Sequence, residues 1–208
     1  MADDFLPQLP AGAFDRQDDG DDLTFYAPPR LVTHIDAAAV ATLSARYRDL
    51  LPNDGRVLDL MSSWVSHLPS DRAYAEVVGH GMNARELAAN PRLDRWFVQN
   101  LNRDPLLPLA DGAFDAALCC VGVQYLQRPI EVFADVRRAM RKGAPFVVSF
   151  SNRCFPSKAV AVWRSLDAEG HAVLVTYYLK KAGFHDASVE VLANGRNSDP
   201  LTIVVGRA

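Results

Sequence analysis

Cysteine is scarce: Cys119 and Cys120 are adjacent and Cys154 is distant, an odd count that makes no disulfide framework. A reducing compartment is expected. No stretch approaches the roughly 20 apolar residues that span a bilayer, and the opening MADDFLPQLP has neither the basic region nor the apolar core of a secretory signal. These absences point to a cytoplasmic protein with no membrane partner. A surplus of positive charge is missing too, with 22 Lys+Arg against 25 Asp+Glu. Binding along a phosphate backbone needs that surplus to displace counterions, so nucleic acid is excluded as the expected partner. The five histidines (34, 67, 80, 171 and 185) are scattered without ligand spacing, and no metal site is expected. There is no internal repeat.

What remains is an ordinary globular composition, 49% apolar and 23% charged over 208 residues, enough for one domain with a sizeable core. Charge is concentrated at the start: residues 1–22 carry seven Asp and one Arg, a local net of −6. With Pro7, Pro10, Gly12 and Gly20 interspersed, this segment reads as a mobile acidic arm ahead of a domain over 23–208.

Beyond the arm, apolar runs alternate with runs of helical period. Asp36 caps a predicted helix through Leu50, and RVLDL (56–60) reads as a buried strand. AYAEVVG (73–79) is a second strand, leading to Asn83, which caps a helix with Glu86 as the other half of a capping box. RWFVQ (95–99) and FDAALCCV (114–121) are strands three and four. A helix from Pro129 to Met140 precedes the fifth strand, PFVVSFS (145–151). Helices are predicted near Lys158 to Leu166 and His171 to Ala182, and then a hairpin pairs ASVEVLA (187–193) with LTIVVG (201–206). This alternation predicts a doubly wound α/β domain, a mostly parallel seven-stranded sheet with a C-terminal antiparallel hairpin. Ligands in such sheets sit outside the carboxyl ends of the strands, so function is sought in the loops after strands one to four.

The succession VLDL (57–60), VVGHGMN (77–83), the block from Leu107 to Leu118 (LPLADGAFDAAL) and FVVSFS (146–151) resembles the class I S-adenosylmethionine-dependent methyltransferases, type 11 group. The resemblance implies methyl transfer from S-adenosylmethionine to a small molecule on a Rossmann-like fold. It implies cofactor contacts from Asp59 at the end of strand one, from Met61, Ser62 and Ser63 in the following loop, from Gly81, Met82 and Asn83 after strand two, from Asn100 and Leu101 after strand three, and from Cys120. Tyr26, Gln124 and Tyr125 are the candidate substrate contacts, with Phe25 to Arg30 as a cover. In-line displacement needs alignment more than acid–base groups, so no catalytic residue is assigned.

Two positions depart from the family pattern. Where the family has LGCGxG, this chain has Leu60-Met61-Ser62-Ser63-Trp64-Val65 without a glycine, and where the family has a ribose-binding acid it has Gly81. Asn83 is the nearest polar substitute, and restoring the acid as Gly81→Asp is expected to tighten cofactor binding. The departures open a second reading, a noncatalytic protein of the same fold that senses cofactor or binds a partner. A third rests on Gly79-His80-Gly81-Met82-Asn83-Ala84, which has the G-x-G-x-x-A spacing of an NAD fingerprint, with Asp104 downstream as its acid. Cys119 and Cys120 read as packed strand residues rather than nucleophiles. Trp64 fits a cavity wall and plain packing equally.

Overall fold

In the computed structural model, which describes residues 9–208, seven strands form one sheet: β1 (Arg56–Leu60), β2 (Glu76–Gly81), β3 (Arg95–Val98), β4 (Ala116–Cys120), β5 (Pro145–Phe150), β6 (His185–Ala193) and β7 (Leu201–Arg207). Their order is β3-β2-β1-β4-β5-β7-β6, with β7 antiparallel to both β5 and β6 and the other pairs parallel. The doubly wound architecture and terminal hairpin expected from the sequence are therefore present. β4 and β5 are apolar almost throughout because both faces are covered. Val57, Ala116, Leu118 and Val147 face one core with Leu43 and Tyr47 of α2 (Ala37–Leu50). Leu58, Leu60, Ala117 and Val148 face the other, which includes α4 (Pro129–Ala139) and α6 (Ala168–Lys181). Strand order reverses between β1 and β4, so their carboxyl ends open a crevice there.

Helix starts follow their caps. Asp36 accepts from the Ala39 amide at the head of α2, and Asn83 accepts from Arg85 and Glu86 at the head of α3 (Ala84–Ala89). The helix expected near Lys158 is reduced to α5 (Ala161–Ser165), and α6 begins at Ala168, capped by Asp167, rather than at His171. Among the described residues, no helix is long and apolar enough to cross a membrane.

The N-terminal arm requires correction. Residues 1–8 lie outside the described residues, but 9–22 are docked on the domain. The Ala161 and Val162 amides donate to the Asp15 and Ala13 carbonyls at 2.8 Å, and Ala13 is buried. The reason is charge the sequence did not locate: Lys158 is only 1% exposed, and its ammonium lies 3.1 Å from Asp18 and 3.3 Å from Asp22. Arg16 adds a 2.6 Å pair with Asp22, so the acidic arm neutralises two buried cations. α1 (Asp22–Tyr26), which the sequence reading missed, follows directly with Asp21 as its cap.

Candidate active site

The crevice between β1 and β4 widens into a cavity of about 580 Å³, within the range of small-molecule sites. Its sheet-side wall is the loop after β1. Asp59 is 5% exposed and accepts hydrogen bonds from the hydroxyls of Ser62, at 2.7 Å, and Ser66. Burial pushes its carboxyl up to about 6, and the two hydroxyls draw it back in part. This loop is held to β2 by backbone: the Ser62 amide donates to the His80 carbonyl and the Met61 amide donates to His80 Nδ1 at 3.1 Å. His80 is buried, its other ring nitrogen meets the Gln99 carbonyl at 2.9 Å, and desolvation lowers it to about 4. It is a neutral clamp between two loops.

The glycine-free loop keeps a glycine conformation at one point. Met61, the first residue after β1, has φ 56°, and Val121, the first after β4, has φ 51°. Both lie in the left-handed region that side chains disfavour by about 1–2 kcal/mol. The two meet at the switch point, where a Cβ on Gly122 would lie 2.8 Å from the Met61 Cβ. Such strain persists where the surroundings enforce it, and it gathers at functional sites.

The opposite wall is the segment from α1 to α2. Asn83 Nδ2 donates to the carbonyls of Tyr26 and Ala27 at 2.8 and 3.0 Å, the Arg30 amide donates to Glu86, and Trp64 Nε1 donates to the Val32 carbonyl. Trp64 thus fastens this cover and does not line the cavity. Phe155 meets both Tyr26 and Tyr125 ring to ring, closing the far end.

The cavity brings together Tyr26, Asp59, Met61, Ser62, Ser63, Gly81, Met82, Asn100, Leu101, Cys120 and Tyr125. Two candidates fall outside it. Asn83 spends its amide on capping α3 and holding the cover. Gln124 is 1% exposed and turns its amide to the Val121 carbonyl at 2.9 Å. The expected gain from Gly81→Asp is also corrected, since a Cβ there collides with the Ser62 carbonyl and no side chain can enter. Instead the cavity holds a carboxylate the sequence reading used only as a capping partner. Glu86 does not reach back to its cap but faces the cavity, accepting from Ser63 Oγ and the Arg30 amide at 2.6 Å each. Only the helical repeat, which sets residue 86 on the face of α3 toward the loop, could have signalled this. His34 and His67, far apart in sequence, also line this cavity.

The NAD fingerprint does not survive the packing. A Cβ on Gly79 would strike Leu93, so both fingerprint glycines are covered by the chain itself rather than open to a pyrophosphate. Asp104 caps a local turn, accepting from the Leu106 amide. Cys119 and Cys120 are held protonated by burial, Cys120 up to about 12, which makes neither a nucleophile.

Comparison with known proteins agrees with this fold. Residues 62–148 match the profile of a family described as "Methyltransferase domain". No curated protein matches the chain. Among solved structures, an S-adenosylmethionine-dependent methyltransferase from Mesorhizobium loti is similar with 17% identity and a TM-score of 0.58, over 81% of this chain and 98% of that one. One from Archaeoglobus fulgidus gives 13% identity and a TM-score of 0.60, over 81% and 94%. A cyclase is also similar, with 14% identity and a TM-score of 0.57, over 79% and 80%. The chain shares the fold of these methyltransferases, and residues 62–148 are similar to the methyltransferase domain family, in line with the motif resemblance.

Proposed function

We propose that this chain is an S-adenosylmethionine-dependent methyltransferase acting on a small molecule bound under the cover. The observation that carries the reading is Asp59: a buried carboxylate, raised to about 6, at the carboxyl end of β1 and open to the cavity. A carboxylate in that position is costly unless a cation or donor meets it. The cofactor is a cation with an ammonium group, and the donor set suits it. Asp59, Ser62 and Ser63 would hold its amino-acid end, and Asn100 and Leu101 its base. Glu86 would accept from the ribose hydroxyls in place of the acid missing at Gly81. When bound, the cofactor supplies an electrophilic methyl group. The chain's part is to orient the acceptor and exclude water, which the strapped cover favours.

The second reading, binding without methyl transfer, is favoured by Met61 in the place of the first loop glycine and by a cyclase among the structural relatives. Ligand-dependent stability separates the readings from a protein that takes no cofactor. At a hundred times its dissociation constant, S-adenosylhomocysteine should stabilise the fold by about 2.7 kcal/mol in denaturant unfolding, and NAD should give nothing. An absent shift with both S-adenosylmethionine and S-adenosylhomocysteine would overturn the cofactor assignment. A shift without methyl transfer to any acceptor would favour the second reading.

A further inference from the structure

Arg30 is the one residue of the cover that places a charged group in the cavity with a donor to spare. Its Nη2 donates to the Phe25 carbonyl at 3.0 Å, whereas its Nη1 is buried and has no partner among the described residues. The guanidinium is fixed by three rings, standing 4.7 Å over Phe25, 5.2 Å over Phe155 and 5.7 Å over Tyr26. A buried cationic donor without an acceptor is expensive, so the arrangement calls for one from a ligand. Nearby acids are engaged elsewhere: Asp22 with Arg16 and Lys158, Glu86 with Ser63 and the Arg30 amide, and Asp36 with the Ala39 and Asp199 amides.

A second orphan lines the same cavity. His67 Nδ1 is buried without a partner among the described residues, and desolvation lowers that imidazole to about 4. His34, also in the lining, is lowered by burial as well. Both rings are therefore neutral at pH 7, adding no competing positive charge and offering a site for a ligand hydroxyl. Between these polar points the wall is aromatic: the ring of Phe155 lies 6.4 Å from Tyr26 and 6.0 Å from Tyr125. These rings pack on one another into a continuous aromatic wall, against which a flat aromatic body stacks better than an alkyl chain.

We propose that the covered end of the cavity is a subsite for a small aromatic acid, its carboxylate bound by Arg30 and its ring stacked against the wall formed by Tyr26, Tyr125 and Phe155. This names the acceptor class for the methyltransferase reading and rests on it only for that label, since the subsite binds without cofactor. The test is calorimetry of the full chain with benzoate, benzamide and benzylamine, three probes of one shape and different charge, and with cyclohexanecarboxylate, which keeps the charge but not the flat ring. Benzoate should bind about tenfold tighter than benzamide, with benzylamine weakest, because charge-assisted bonds are roughly twice as strong as neutral ones. Cyclohexanecarboxylate should bind more weakly than benzoate. Arg30→Met should lose that charge preference and Arg30→Lys should keep part of it, so Lys remains informative if Met loosens the cover. Equal binding of benzoate and benzylamine, or full benzoate affinity in both variants, would overturn the proposal. So would a loss of S-adenosylhomocysteine rather than benzoate affinity, which would assign Arg30 to the cofactor. Benzoate binding without any S-adenosylhomocysteine binding would leave the subsite standing and sink the methyltransferase reading.

Discussion

The sheet-side wall of the cavity rests on β1, β2 and β4, strands buried almost throughout, and its loop is tied to β2 through backbone and the buried His80. The covering wall, from Tyr26 to Ile35, is strapped by donors on Asn83 and Trp64 and by the Glu86 carboxylate, which accepts from the Arg30 amide, and it leaves Leu31 and Val32 each 56% exposed. Local opening free energy follows buried apolar contact, so the first wall opens only with the domain, whereas the second can open alone. The fold thus provides a preorganised floor and a separable lid, which is how a site can admit a ligand and then exclude water.

The largest effect should come from the floor. Asp59 ionises near 3.8 when unfolded and about 6 when folded, so the folded state binds the extra proton between those values. Stability is therefore lost as pH rises from about 4 to 6, and the full penalty remains above, roughly 3 kcal/mol from the size of the shift. Asp59→Asn, which keeps an acceptor for Ser62 and Ser66, should be more stable than the wild type by up to that amount at pH 7.5 and gain nothing near pH 4. Urea unfolding at the two pH values checks this, and a gain independent of pH would contradict it.

The lid is tested by Asn83→Ala, which removes the α3 cap and frees the Tyr26 and Ala27 carbonyls. A loss of about 2 kcal/mol is expected from the cap and the unmet acceptors together. Amide exchange should accelerate most between Tyr26 and Ile35 and least in β1 and β4. Uniform acceleration would mean that floor and lid open as one unit and would break the distinction.

The smallest effect isolates the strain at Met61. Met61→Ala and Met61→Gly lose nearly the same packing, but only glycine is at ease at φ 56°. Glycine should be the more stable of the two by about 1 kcal/mol, the reverse of its usual order. If alanine is the more stable, the left-handed backbone carries no strain.

Much of the floor was legible in the sequence because its signals are local. Asp36 and Asn83 announce their helices, the apolar runs at 57–60 and 146–150 mark central strands, and Asp59 falls where motif order puts it. Strand edges shifted where long-range bonds intervened: β2 starts at Glu76, not Ala73, because the Ala75 amide is taken by the Gly55 carbonyl. The lid was legible only as a segment, Phe25 to Arg30. Its anchors lie more than thirty residues away, and neither its Pro28-Pro29 nor its lone Arg30 carries periodicity. The docked arm was hidden for the same reason, since its charge is matched by Lys158, 136 residues beyond Asp22. Glu86 was signalled only by the helical repeat of α3, and the meeting of His34 and His67 in one cavity needed the fold itself.

The cofactor assignment turns on whether Glu86 replaces the acid missing at Gly81. Calorimetric titration of S-adenosylhomocysteine into the wild type and Glu86→Gln at pH 7.5 tests it most directly. Saturable one-to-one binding to the wild type and roughly tenfold weaker binding to the variant are expected, from the loss of hydrogen bonds to a charged group. Equal affinity in a variant as stably folded as the wild type would remove Glu86 from the site, and no binding to either would contradict the account at its centre.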